Sequence, residues 1–147
     1  MITTDKSDND ITTAIEKCLN WYNNNYSKAT LTELINFQCK LSLLSVNLAT
    51  ITARSKGTHL RAYFERKMAF SIKKLHYIDE GYKIGKAEEK ANSELKEYTD
   101  EELQTEVIAE SLMLELRQIN KVLSAVQQRI SYEKAEKERF EKLSNIT

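Results

Sequence analysis

The sequence has no proline, only three glycines and two cysteines in 147 residues. All-β folds need many turn residues, and proline is the residue that interrupts helices, so this composition disfavours sheets and permits long helices. We therefore predict an all-α fold, a small self-associating bundle of about four helices. Within it we expect residues 1–9 to be disordered and residues 10–147 to form a single helical domain.

Motifs for catalysis and for metal or cofactor binding are also missing. The two histidines, His59 and His76, are far apart in the sequence, and there is no glycine-rich phosphate loop or nucleophile motif. Cys18 and Cys39 lack the spacing of metal ligands. We predict a non-enzymatic protein with no catalytic residues, no metal and no cofactor.

Long apolar runs are scarce. The most apolar stretch, at 41–51, is too short and too polar to span a bilayer, and the first ten residues are polar and acidic. We expect a cytoplasmic protein with no membrane partner, and a phage is a candidate source.

Two heptad patterns predict long helices that pack against other helices. The first consists of Leu34, Phe37, Leu41, Leu44, Leu48 and Ile51. The second, which we interpret as an oligomerisation surface, consists of Leu112, Leu116, Ile119, Leu123, Val126 and Ile130. So much apolar helix surface in so short a chain predicts a homo-oligomer.

Local signals set the expected helix ends. Thr30 with Glu33 and Thr99 with Glu102 are capping boxes, which begin helices. Gly57 is suited to ending a helix. The predicted segments are a short N-terminal helix, a heptad helix at 31–56, a corner at 55–60, a basic helix at about 58–80, a bend near 81–85 and a C-terminal helix at about 100–142.

Charge is balanced overall but separated along the chain. Residues 54–78 hold seven basic residues and one acidic residue, a net charge of 7 − 1 = +6. Residues 79–116 hold four basic and twelve acidic residues, a net charge of 4 − 12 = −8. The acidic segment is interpreted as a solvated face, or as a regulator that competes for the basic segment.

On a helix, the basic segment divides into two stripes whose centres lie roughly 145° apart. The apolar stripe, predicted to face the core, consists of Leu60, Phe64, Met68, Ile72 and Leu75. The basic stripe, predicted to face outward, consists of Lys56, His59, Tyr63, Arg66, Phe70, Lys73 and Tyr77.

Alternating cations and rings suit single-stranded nucleic acid, because phosphates attract the cations and unstacked bases lie on the rings. The predicted contact residues are Lys56, Arg61, Tyr63, Arg66, Lys67, Phe70, Lys73, Lys74 and Tyr77. Equally, the rings could pack on a partner helix or subunit while the cations extend into water.

Two stretches, "LRAYFERK" at 60–67 and "KVLSAVQQRISYEKAEKERF" at 121–140, resemble the small phage recombination-mediator proteins typified by UvsY. The resemblance implies a basic, tyrosine-containing DNA contact in the first stretch and ring-like assembly through the second. It implies an accessory factor that binds single-stranded DNA, interacts with a single-strand-binding protein and helps to load a recombinase. The residues that match the DNA-contacting stretch are Arg61, Tyr63, Arg66 and Lys67.

Two other classes of function remain open. One is a structural or assembly coiled-coil protein of a phage, in which basic and acidic segments pair between subunits. The other is an inhibitor or adaptor whose acidic segment, 79–116, blocks a partner that binds nucleic acid.

Overall fold

The computed structural model describes residues 6–146, and within them the chain forms four α-helices and no strand. The helices are α1 (Lys6–Asn25), α2 (Leu31–Asp79), α3 (Ile84–Ser93) and α4 (Lys96–Ser144). The predicted all-α class is confirmed. Residues 6–9, predicted to be disordered, belong to α1, whereas the rest of that predicted segment, 1–5, lies outside the described residues.

The helix α2 begins where the sequence predicts. The Thr30 backbone N–H donates to the Glu33 carboxylate at 2.8 Å, and the Glu33 N–H donates to the Thr30 hydroxyl at 3.3 Å. These reciprocal bonds satisfy N–H groups that the first helical turn leaves without a partner. The first capping box is confirmed.

The predicted corner at 55–60 is wrong, because α2 continues through it without interruption to Asp79. The Thr58 hydroxyl donates to the carbonyl of Arg54, four residues earlier, which is an interaction of a helix interior. Gly57 weakens a helix but does not forbid one, and its helix-breaking tendency costs only about 1 kcal/mol relative to alanine. Packing along α2 therefore prevails over the local signal.

The chain does turn between α2 and α3, at residues 80–83, which contain Gly81 of the predicted bend, whereas Gly85 lies within α3. Gly81 has φ of 96°, a left-handed conformation that glycine adopts readily. By contrast, α4 begins at Lys96 and not near residue 100. The Thr99 hydroxyl donates to the Leu95 carbonyl, so Thr99 lies within the helix and the second capping box is wrong.

The helices divide into two compact units, which we describe separately. Unit 1 contains α1, the part of α2 up to Ile51 and the part of α4 from Leu114. Unit 2 contains the rest of α2 from Thr52, the helix α3, and α4 up to Met113. That the chain behaves as one cooperative domain stays a prediction.

Unit 1 has a core of large apolar side chains. Trp21 of α1 stacks on Phe37 of α2 with ring centroids 5.0 Å apart, and Ser45 of α2 donates a hydrogen bond to Asn120 of α4. The first heptad pattern packs here, and its buried members are Leu34, Phe37, Leu41, Leu48 and Ile51. The two heptad patterns thus contribute to one intramolecular core.

Unit 2 is held together differently. Its buried residues are mostly small, and small side chains let helices approach closely; they are Thr52, Ala62, Ala87, Ala91, Leu95, Thr105 and Ala109. Large apolar side chains contribute little to the interior of this unit. Its helices are joined mainly by polar and charged contacts, which form the candidate site.

Among the described residues, α2 is the one helix that is long and apolar enough to cross a membrane by length and composition. A core helix of a water-soluble protein passes the same test. The prediction that the stretch at 41–51 is too polar to span a bilayer therefore stays a prediction.

Candidate nucleic-acid interface

The basic stripe lies against α3 and α4, which reverses the predicted orientation. Its members from His59 to Tyr77 are all partly buried, whereas the apolar stripe is exposed. The prediction that the apolar stripe faces the core is therefore wrong, and so is the prediction that the basic stripe points away from it. The physical reason is that the acidic residues of α3 and α4 attract the basic face of α2.

Three ion pairs join the basic segment to the acidic segment within one chain. Lys73 Nζ lies 2.9 Å from a Glu94 carboxylate oxygen, and Lys74 Nζ lies 2.6 Å from a carboxylate oxygen of Glu88. All four side chains remain about one third to two fifths exposed, so each pair contributes modestly on its own.

The third pair, Arg66 with Glu102, is the least exposed. Arg66 Nε donates to one carboxylate oxygen of Glu102, and Nη2 lies 3.5 Å from the other. This two-point contact fixes the guanidinium plane. The hydrogen bond to Glu102 raises the pKa of Arg66 above its ordinary value.

Tyr77 extends the contact between α2 and the start of α4. Its hydroxyl donates to the carboxylate of Glu94, which Lys73 also contacts. The hydrogen bond to Glu94 raises the pKa of Tyr77 to about 12, and the bonds from Tyr77 and Lys73 lower the pKa of Glu94. Lys90 of α3 lies 5.2 Å from the centroid of the Tyr77 ring. Tyr77 thus contacts Glu94 and Lys90 of its own chain within unit 2.

His59 and Phe70 also belong to this inward face. His59 Nδ1 lies 3.3 Å from the backbone carbonyl oxygen of Glu102 and 3.4 Å from the Thr105 hydroxyl, and Phe70 is partly buried. His59 and Phe70 therefore belong to the same group, packed within the chain, as Arg66, Lys73, Lys74 and Tyr77.

Three of the predicted cations remain exposed, namely Lys56, Arg61 and Lys67. Within the described residues, none of the three forms an ion pair. Lys67 Nζ lies 4.6 Å from the centroid of the Tyr63 ring, so a cation and a partly exposed aromatic face lie side by side.

Lys56, Tyr63 and Lys67 lie within an arc of roughly 40° on α2, since a helix turns about 100° per residue. We call these three residues the cation patch. Arg61 lies within the arc of the apolar stripe, between Met68 and Ile72 around the helix and away from the patch. The structure therefore divides the nine predicted contact residues into the cation patch, Arg61 and an inward group.

The predicted oligomerisation residues occupy the interior of the chain. Ile119, Val126 and Ile130 are buried in unit 1, and Leu112, Leu116 and Leu123 are partly buried. Arg129, between them, donates to the Ala29 carbonyl at 2.9 Å and contacts the Tyr26 ring. In this arrangement the second heptad pattern has intramolecular partners.

Sequence reasoning missed two sets of residues. It did not identify Glu88, Glu94 and Glu102 as partners of the basic stripe, although the adjacent blocks of opposite charge were the signal for it. It also missed the exposure of Phe64. Across the part of the chain that the structure describes, no group of three or more metal-ligating side chains is present.

No protein-family model, curated protein or solved structure matches the chain. The resemblance to recombination mediators therefore stays a prediction based on the two stretches at 60–67 and 121–140.

Proposed function

We propose that this protein is a non-enzymatic accessory factor that binds single-stranded DNA through the cation patch of α2. The observation that supports this most directly is the position of Lys67 over the Tyr63 ring, beside the exposed Lys56. Lys56, Lys67 and Arg61 are the predicted contact cations that remain exposed, since carboxylates of the same chain pair with Arg66, Lys73 and Lys74. The proposed DNA contact therefore has fewer residues, the three of the cation patch, than the nine that the sequence predicts.

The patch has the chemistry that single strands require. Lysines attract the phosphates, and an aromatic face stabilises an unstacked base by about 1–3 kcal/mol whatever its identity. Lys56 and Lys67 are eleven residues apart, about 16 Å along a helix, with Tyr63 between them. That separation corresponds to a few nucleotides of a single strand, so we expect binding without sequence preference.

Partners follow from the resemblance alone. A recombination mediator would contact a recombinase and a single-strand-binding protein, and Arg61, Tyr63 and Lys67 are the residues from 60–67 that remain available in part for such contacts. Arg66, the fourth matching residue, is paired with Glu102.

A binding titration with labelled oligonucleotides tests the proposal. At low salt we expect the wild-type protein to bind a poly-dT strand and a mixed-sequence strand equally well, and a duplex more weakly. Tyr63→Leu should weaken binding by about tenfold, corresponding to about 1–2 kcal/mol of lost stacking. Tyr132→Leu is the matched control, since Tyr132 is an exposed tyrosine of α4 outside the patch. Absence of wild-type binding at low salt would refute the proposal.

The second candidate is a structural or assembly protein, and the exposed apolar stripe favours it. A row of large apolar side chains exposed on one helix is typical of a surface that another protein covers. The acidic-inhibitor alternative is supported less well, because Glu88, Glu94 and Glu102 are already paired with cations of the same chain.

A further inference from the structure

We propose that two copies of this chain pack the outward faces of their α2 helices against each other in antiparallel orientation. The symmetry axis would pass between Thr58 and His59. This contact differs from the assembly through the second heptad pattern that the sequence predicts, and it does not depend on DNA binding.

Exposed apolar side chains are concentrated on one face of α2. Seven large apolar residues of this helix are exposed, each by 54 to 65% of its surface: Leu43, Val46, Leu60, Phe64, Met68, Ile72 and Leu75. Their positions fall within an arc of roughly 120° on the helix, opposite the face that carries the ion pairs. Randomly exposed hydrophobic residues would be scattered around the helix.

We call this row, together with Thr50, Ala53 and Gly57 between its ends, the extended apolar stripe. It follows α2 for 33 positions from Leu43 to Leu75, roughly 48 Å at the rise of an α-helix. An exposed row of this length is more than a water-soluble monomer usually keeps open.

Large and small residues of the stripe are complementary in the antiparallel register. Ala53 lies opposite the second copy's Phe64, and Gly57 lies opposite its Leu60. Thr50, which this register places opposite the second copy's Lys67, lies one position from its Met68. Apart from its two chain neighbours and the adjacent backbone of α2, nothing described in the chain lies within 4 Å of a Cβ placed at Gly57, so this position is open to a partner. Alternation of large and small residues is how facing helices fill space.

At the ends of the pair, large residues come within one position of large ones. Val46 lies nearly opposite the second copy's Ile72, and Leu43 lies nearly opposite its Leu75. The ends of the pair would thus be joined by apolar contacts, while the small residues near the symmetry axis let the helices approach.

Charge favours the antiparallel orientation over the parallel one. A parallel pair would place the segment 54–78, with its net charge of +6, beside its own copy. The antiparallel pair places residues 64–76 of that segment opposite residues 41–53, which contain no charged residue. Residues 54–63 still lie opposite their own copy, with Lys56 opposite the second copy's Arg61, so the antiparallel orientation reduces the apposition of like charges without removing it. Like charges in apposition are unfavourable, so the antiparallel orientation is favoured.

The symmetry has a consequence for the cation patch. The patch lies at one edge of the stripe, roughly 100° around the helix from its centre. An antiparallel two-fold axis brings like edges of the two stripes together. Because like edges meet, both patches would lie on the same side of the pair. A bound single strand could then contact two sets of Lys56, Tyr63 and Lys67.

Sedimentation equilibrium without DNA tests the pair and remains informative if the proposed DNA binding fails. We expect a mass twice the 17.0 kDa of one chain at micromolar concentration. Phe64→Glu should give the mass of one chain with unchanged helicity, because Phe64 is exposed and has no core role. The matched control is Val107→Glu, since Val107 is equally exposed on α4 and should leave the pair intact. A wild-type monomer would overturn the proposal. If that monomer also floats with phosphatidylcholine vesicles, lipid is the occupant of the extended apolar stripe.

Crosslinking tests the orientation. In a Cys39→Ser background, Ala53→Cys and Phe64→Cys are prepared as separate variants; native Cys18 is buried. A short thiol crosslinker should join the two variants when they are mixed and should join neither variant to itself, because only 53 and 64 are opposite each other. Self-crosslinking of either variant alone would indicate a parallel pair and would overturn the proposal, as would the absence of product in the mixture.

Discussion

At the scale of single residues, unit 2 depends on carboxylates that hold the basic face of α2 inward. Glu94 is central, since it accepts from both Lys73 and Tyr77. The two pKa shifts that result have opposite directions. Because the pKa of Glu94 is lowered below 4.5, its contribution to stability is present above that value and is lost as the pH falls through the folded-state pKa. Because the pKa of Tyr77 is raised from 10.0, its contribution is present below 10 and is lost as the pH rises through about 12.

This arrangement predicts the outcome of a tyrosine titration. In the Glu94→Gln variant the anionic acceptor is gone, so the pKa of Tyr77 should fall from about 12 toward its ordinary value of 10.0. Carbon-13 NMR of labelled tyrosine rings measures this shift directly, and Tyr77→Phe identifies the signal. A Tyr77 pKa that is the same in the Glu94→Gln variant and the wild type would show that the hydrogen bond is absent in solution.

At the scale of elements, the continuity of α2 through Gly57 decides which faces the chain presents. If residue 57 lies within a helix, replacing glycine with alanine should stabilise it. We expect Gly57→Ala to raise the free energy of unfolding by about 0.5–1 kcal/mol. The experiment belongs in the Phe64→Glu background, where the proposed pair does not contribute, and chemical denaturation provides the measurement.

Gly81→Ala is the matched control, and it should have the opposite sign. Gly81 has φ of 96°, so a side chain there is strained, and we expect a loss on the order of 1 kcal/mol. If Gly57→Ala destabilised the protein as Gly81→Ala does, residue 57 would form the corner that the sequence suggests and α2 would be two helices.

Much of the helical architecture could be predicted from the sequence, because it depends on local signals. The lack of proline, the heptad pattern from Leu34 to Ile51 and the Thr30–Glu33 capping box each act within a few turns of one helix. The same kind of box at Thr99 and Glu102 is wrong, since Leu95 is buried and the helix starts before Thr99. A capping motif contains no information about residues before it, so it does not show that the buried Leu95 already precedes the first turn of the helix.

The orientation of α2 in unit 2 could not be predicted in the same way. Periodicity separates two faces, but it does not say which one another element covers. Hydrophobicity favours burial of Phe64 and Met68, whereas the covering helix α3 offers small Ala87 and Ala91 together with Glu88. The pairing of the basic stripe depends on the sequence of α3 and α4, so it is a tertiary effect.

At the scale of the whole molecule, the two faces of the basic segment have different roles. The inward face is neutralised by the acidic segment of the same chain, and the outward face retains the apolar stripe and the cation patch. A neutral chain can therefore still present a local cationic surface. The lysines that we expect to contact phosphate are consequently fewer than those that the sequence alone predicts.

The salt dependence of single-strand binding tests this assignment most directly, in two variants that each remove two lysines. Lys56→Ala/Lys67→Ala removes the exposed lysines, and Lys73→Ala/Lys74→Ala removes two that are ion-paired within the chain. Each lost phosphate contact lowers the slope of log affinity against log salt by about 0.7. We predict that the first variant lowers the slope by about 1.4 and that the second leaves it near the wild-type value. Equal losses in the two variants, or a larger loss in the second, would contradict the assignment of phosphate contacts to the cation patch.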